Sequence, residues 1–187
     1  MQAWNGWYHV NGNTYGTWLR GDPRGWRTRW HRQHVAGDYK NRPAQGTFEE
    51  TYAMSKRLLK KSPVYLDEAQ RKIAGQALVE KLIEMGVEPL ACSQDASHYH
   101  ILAKFPDNQV RQAVGRAKKH ASHVLRGHGL EGTVWARKCR ALPVRDRQHQ
   151  LNAFHYIESH GNKGAWAWTF REGLYWVGER ANAKKPP

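Results

Sequence analysis

An α+β fold built on an antiparallel sheet is what this sequence predicts, and three observations predict it. Segments rich in aromatic and β-branched residues alternate with segments whose apolar residues recur at helical spacing. Two of the strand-like segments, residues 87–93 and 98–105, are separated only by a short polar turn around Asp95, which makes them a hairpin. The order of the core elements is strand, helix, strand, strand, helix, strand, with one further helix after them. That order is the split βαβ pattern of ferredoxin-like (RRM-like) folds, an antiparallel sheet on two helices with one sheet face left over.

Taken along the chain, residues 7–18 read as the first strand. Residues 19–46 hold Gly21, Asp22, Pro23, Gly25, Gly37, Pro43 and Gly46 and no apolar period, so they read as a long ordered loop. With residues 47–61, read as a helix, they form an insertion at about 19–62. Thr47 is the expected N-cap there, with Glu50 at capping-box spacing. After the apolar run Val64-Tyr65-Leu66, Asp67 caps a helix to about Met85, with Ile73, Leu78, Val79, Leu82 and Ile83 on one side and Gly86 closing it. Asp107 is the expected cap of a helix to about Arg126. Residues 133–142 read as a strand, and 145–160 as a helix with Gly161 as its C′ residue. The remaining stretch carries Trp166, Trp168, Phe170, Tyr175 and Trp176, and its three tryptophans are expected to pack on the core.

With 187 residues, 40% of them hydrophobic, the chain suits one domain over 1–180 with a packed core, and a disordered basic tail over 181–187. Thirty Lys+Arg against sixteen Asp+Glu leave a net charge of +14. Such an excess is the footprint of a polyanionic partner, with nucleic acid the first expectation. Cys92 and Cys139 are too few for a disulfide scaffold or a zinc ribbon and read as buried free thiols. With no apolar h-region near the start and no stretch of membrane-spanning length, the expectation is a cytoplasmic, nucleoid-associated protein with no membrane partner.

The chemistry centres on two places. His98 and His100 lie two apart on a strand, so both imidazoles face one side and can chelate one ion, while Tyr99 faces the other. The residues alone also admit a plainer reading, two partly exposed histidines on a sheet face. On the last helix, Leu151, Phe154 and Ile157 make an apolar face, and the opposite face carries His149, Asn152, Tyr156 and His160. Tyr156 and His160 are four residues apart, about 6 Å along the axis, and could meet the histidine pair. Two histidines, a third ligand and open positions are what a catalytic divalent metal needs. Taken alone, Tyr156 could equally be a half-buried core aromatic and His160 a cation at a helix C-terminus.

The segment Gln94-Asp95-Ala96-Ser97-His98-Tyr99-His100-Ile101-Leu102-Ala103 resembles the "D-H-x-H-h-L" strand of single-tyrosine HUH transposases, the insertion-sequence and REP-associated family. Pro63-Val64-Tyr65-Leu66-Asp67, Trp135, Phe154-His155-Tyr156-Ile157-Glu158-Ser159-His160 and Lys163-Gly164 are similar to further segments of that family, so the likeness spans about residues 63–165 and the first strand. It implies Tyr156 as nucleophile, His98, His100 and His160 as ligands of Mg²⁺ or Mn²⁺, and single-stranded, hairpin-containing DNA as substrate. The implied reaction cleaves and rejoins DNA through a 5′-phosphotyrosine. A homodimer, in which the tyrosine helix is donated across the interface, also fits the family. The chain departs from the pattern at His160, where the family carries Asn or Gln, at Gly161, where it carries Pro, and at Tyr99, where an aliphatic residue is usual.

The basic residues are then expected DNA contacts. Arg20, Arg24, Arg27 and Arg29, mixed with Trp26 and Trp30, suit phosphate contact and base stacking in the insertion. Arg116, Lys118 and Lys119 form a basic helix face, and Arg137, Lys138 and Arg140 a basic strand. The alternative expectation is a non-catalytic single-strand binding module on a ferredoxin-like sheet, which calls for exposed aromatics on the central strands.

Overall fold

The computed structural model describes residues 3–26, 44 and 46–174. Five strands, β1 (Trp7–Thr14), β2 (Glu88–Gln94), β3 (His98–Lys104), β4 (Trp135–Pro143) and β5 (Trp166–Thr169), form one antiparallel sheet in the order β4-β1-β3-β2-β5. Four α-helices accompany it among the described residues: α1 (Glu49–Arg57), α2 (Glu68–Glu84), α3 (Val110–Arg126) and α4 (Arg147–Glu158). The fold is therefore α+β, as the alternation of periods predicted.

The period-2 alternation of β3 divides the core in two. Tyr99, Ile101 and Ala103 enter the larger cluster with Leu78 and Leu82 of α2 and Val114 and Leu125 of α3. Leu102 points the other way, into a smaller cluster with Ala91 of β2 and Ala153, Phe154 and Ile157 of α4. Helices α2 and α3 thus cover one face, and α4 lies over β2 and β3 on the other. Tyr99 crosses β1 at Gly12. A Cβ there would sit 2.5 Å from the tyrosine Oη, so only glycine admits the ring.

Local capping departs from the sequence reading in three places. Asp67 caps α2 as expected, in a capping box with Gln70. Thr47 does not cap α1: its hydroxyl donates to the Ala44 carbonyl (2.7 Å), and the N-cap position falls on Phe48. Asp107 accepts from the Gln109 amide (2.8 Å) in a local turn, and α3 begins only at Val110. Beyond α4, Gly161 opens a 3₁₀ turn, and the left-handed residue that ends it is Gly164 (φ 82°). On α4 itself Gln150 is buried and Leu151 only half-buried, so the apolar face is rotated toward Ala153, Phe154 and Ile157.

β1 stops four residues before the predicted end. The strand ends at Thr14, still opposite Trp135 of β4, where its hydroxyl donates to the Val64 carbonyl (2.6 Å) and the register against β4 is shifted. The sequence marks the fifth strand only by tryptophans expected to pack on the core. Trp166 and Trp168 do pack, but as part of β5 on the free edge of β2. Trp166 lies flat over Gly75 of α2, where a Cβ would come within 2.0 Å of the indole. Within the insertion, Trp26 is buried edge-on against Phe48, with ring centroids 5.2 Å apart. Residues 27–43, the tail over 181–187, and Tyr175 and Trp176 lie outside the described residues.

Candidate metal centre

The β2–β3 turn is tied down from three sides before it delivers its histidines. The Leu66 amide donates to Ala96, the Thr14 amide to Ser97 (2.9 Å), and the Thr17 hydroxyl to the same Ser97 carbonyl (3.1 Å). These bonds fix where β3 starts, and so fix His98 and His100 on the face shared with α4. Tyr156 stands on the last turn of α4. His160 follows just after the helix, where its carbonyl accepts from the amides of Lys163 (3.0 Å) and Ala165 (3.2 Å). That local turn holds the side chain over the sheet.

The three histidines converge. One ring nitrogen from each of His98, His100 and His160 lies within 4.8 Å of the others. Ring centroids are 5.2 Å apart for His98–His100, 4.9 Å for His100–His160 and 5.4 Å for His98–His160. Tyr156 stands against the group, 4.9 Å from the His160 ring and 5.2 Å from that of His100, and remains 47% exposed. The cluster could hold a metal ion.

The electrostatics keep these rings neutral. Burial pushes His100 down to about 2, helped by His9, His98 and His160 around it. Burial lowers His98, against an opposing pull from Asp95, and lowers His160 with help from His98 and Lys163. Neutral imidazole has the lone pair a metal requires. The Nδ1 of His98 faces the Asp95 carboxylate at 3.3 Å. That of His100 faces the Nε2 of His9 at 3.0 Å. Each sheet histidine therefore keeps its Nε2 for another partner. The Nε2 of His160 is buried with no hydrogen-bond partner among the described residues. A buried nitrogen left without a partner costs about 1–3 kcal/mol, and a metal ion is a partner that would offset it.

His9 was not among the sequence candidates. It lies on β1 opposite Leu102, one diagonal step from His100, and no local motif marks it. Only the pairing of β1 with β3 brings it in. Asp95 was read as a turn residue, and its contact with His98 was legible in principle from the short hairpin.

The proposed DNA contacts fall in different places. A cross-strand row runs Arg140–Asn11–His100–Ser93, so Arg140 shares the face of the histidines. Arg137, Lys138 and Arg140 are exposed on the edge strand β4. Arg116 and Lys119 are exposed on α3, in the helical layer on the other side of the sheet. Lys118 is buried, and its ammonium donates to the carbonyl of Ala136 (2.8 Å), so it ties α3 to β4 and does not face a solvent-borne ligand. Arg24 clamps the buried Asp22 carboxylate and stacks on Trp18, 4.6 Å from the ring centre. Arg20 lies over the buried Trp26, 5.6 Å from its ring centre. Trp26 is thereby a packing residue rather than an open stacking surface. Arg27, Arg29 and Trp30 lie outside the described residues.

The sequence matches no protein-family model, and no curated protein matches it. Among the described residues no helix is long and apolar enough to cross a membrane.

Proposed function

We propose that this chain is a divalent-metal-dependent enzyme that cuts and rejoins single-stranded DNA through a covalent bond to Tyr156, a single-tyrosine HUH transposase or a host-adapted relative. One observation carries the reading: an exposed tyrosine ring stands against a three-histidine cluster assembled from two separate elements. The strand order β4-β1-β3-β2, with α2 and α3 on one face, supports a ferredoxin-like core to which β5 is added at the edge. The +14 charge and the exposed Lys138 and Arg140 on the strand flanking the site support a polyanionic substrate.

His98, His100 and His160 would hold the ion through imidazole nitrogen, a donor set that suits Mn²⁺ better than Mg²⁺, which prefers oxygen. Bound there, a divalent ion supplies Lewis-acid polarisation of the scissile phosphate. The Tyr156 oxygen attacks phosphorus and forms a P–O bond as the bond to the 3′ oxygen breaks. The phenol gives up its proton to solvent, the departing oxygen takes one up and leaves as a free 3′-hydroxyl, and the 5′ phosphate stays on the tyrosine. Attack by another strand's 3′-hydroxyl reverses the step, so no nucleotide cofactor is consumed. Helix α4 holds the phenol at the rim of the site, open to a strand arriving from solvent. Hairpin-containing DNA is the substrate form this reading favours, with a second copy of the chain as partner and the nucleoid as location.

The non-catalytic binding module has less support. Tyr99 is fully buried and Tyr8 packs against Phe105, so neither central-strand tyrosine offers an open stacking surface.

The test is covalent trapping. The full chain and Tyr156→Phe are mixed with labelled single-stranded hairpin oligonucleotides, in Mn²⁺ or in EDTA. A denaturant-resistant adduct that needs both the metal and the phenol is expected. Tight strand binding with no adduct across a broad library would transfer the protein to the binding-module class.

A further inference from the structure

We infer that His9 is a positioning residue, which holds His100 in the tautomer that carries its proton on Nδ1 and so leaves the Nε2 lone pair toward His98 and His160. The inference rests on the metal-centre reading for its consequence, but the hydrogen bond that carries it does not.

The contact is His9 Nε2 to His100 Nδ1 at 3.0 Å, between rings tilted by 37°. Two imidazole nitrogens at that distance need one N–H and one lone pair between them. There are two arrangements. With the proton on His9 Nε2, His100 accepts at Nδ1 and must carry its own proton on Nε2. That N–H would then be directed away from His9 and be useless as a ligand. With the proton on His100 Nδ1, His9 Nε2 accepts it and His100 Nε2 is bare. Only the second arrangement lets all three histidines of the cluster present lone pairs.

The surroundings favour the second arrangement. The Nδ1 of His98 lies 3.3 Å from the Asp95 carboxylate, which can only accept when ionised, and that proximity favours a proton on Nδ1 in this ring too. The two sheet histidines would then be oriented alike, each by an acceptor outside the cluster. A ligating histidine generally uses its second nitrogen in this way, and losing the outer partner costs about 10–100-fold in metal affinity. His9 reaches His100 because β1 and β3 are neighbours: His9 sits opposite Leu102, and the diagonal to His100 is within reach of two rings. A neutral acceptor also differs from a second carboxylate in what it does to the substrate. An aspartate at this position would add negative charge beside a site meant for a phosphodiester, whereas imidazole orients His100 without repelling it.

The experiment is long-range ¹⁵N–¹H NMR of the histidine rings in the metal-free full-length protein, with His9→Phe and His9→Gln, alongside Mn²⁺ titration followed by the EPR signal of free ion. The wild type is expected to show His100 as the Nδ1–H tautomer, with a coupling across the hydrogen bond to His9 Nε2. In His9→Phe the population should move toward Nε2–H and Mn²⁺ affinity should fall about 10–100-fold. In His9→Gln the side-chain carbonyl can accept in place of the ring, and both should return to within about threefold of wild type. A wild-type His100 protonated on Nε2 would overturn the inference, and so would a His9→Phe protein unchanged in both readouts. If the wild type takes up no Mn²⁺ but keeps the coupled Nδ1–H tautomer, the metal-centre reading falls and the role of His9 stands. The wild-type spectrum decides the point even where His9→Phe does not fold.

Discussion

Replacing His160 by leucine should make the metal-free protein more stable and remove its response to metal. The imidazole is only 7% exposed, and its Nε2 has no hydrogen-bond partner among the described residues. Burial of an unpaired polar atom costs about 1–3 kcal/mol, and an apolar side chain of similar size removes that penalty. For a domain of this size each kcal/mol shifts the melting temperature by about 2–4 °C. His160→Leu in EDTA should therefore melt about 2–12 °C above wild type. With Mn²⁺ at about 100 times its dissociation constant, wild type should gain about 2.7 kcal/mol, and the variant, short of one ligand, should gain little. The stability order of the two proteins then narrows or reverses between EDTA and saturating Mn²⁺. Differential scanning calorimetry in both conditions reads the whole effect. A variant that melts below wild type in EDTA would refute the claim that this nitrogen is a stored cost. A variant that keeps the full Mn²⁺ shift would place the ion elsewhere.

Four further outcomes follow from the geometry. Gly75→Ala should destabilise by about 1–3 kcal/mol, because its Cβ would have to displace the Trp166 indole, a cost typical of overpacking. Alanine's helix propensity alone would favour the variant by about 1 kcal/mol, so a rise in denaturation midpoint would contradict the packing, and Trp166→Leu in the same chain should recover part of the loss. Arg140→Ala should lower single-strand DNA affinity and reduce the salt dependence of binding by about one unit of slope, as removal of one phosphate contact does. Lys118→Met should leave that slope unchanged and show its effect in the melting curve, since the ammonium serves the Ala136 carbonyl and not solvent; fluorescence-anisotropy titrations at several salt concentrations separate the two. Tyr156→Phe should keep wild-type stability within about 0.5 kcal/mol, as expected of an exposed side chain, and keep the Mn²⁺ shift, so that its loss of adduct reports chemistry and not folding.

Much of the fold was readable because local physics specifies it. The Asp67 cap, the burial of Leu78, Val79 and Leu82 on α2 and the polar turn at Asp95 are decided by residues within four positions of one another, and each lies where it was expected, whereas Ile83, expected on the same side of α2, is exposed. The errors share a cause. Thr47 and Asp107 are good capping residues, but their side chains took other backbone partners, and the helices started one and two residues later. β5 is a four-residue strand whose only ladder among the described residues is to β2, more than seventy positions earlier in the chain, and no period can show in four residues. Lys118 has the composition of a surface cation. Its burial depends on the carbonyl that β4 offers it.

The candidate site divides in the same way. Sequence alone determined that His98 and His100 share a face, because alternation along a strand admits no other arrangement, and that Tyr156 and His160 lie one helical turn apart. It determined the charge, and so the class of partner to expect. Tertiary structure decided that the two pairs meet, through α4 lying over β2 and β3 and a turn after Glu158 that folds His160 back toward the sheet. It also decided that His9, ninety-one positions from His100, is the ring against which His100 is set. Such contacts depend on strand order and register, which arise from burying the whole apolar set at once and are not written in any short stretch of the chain.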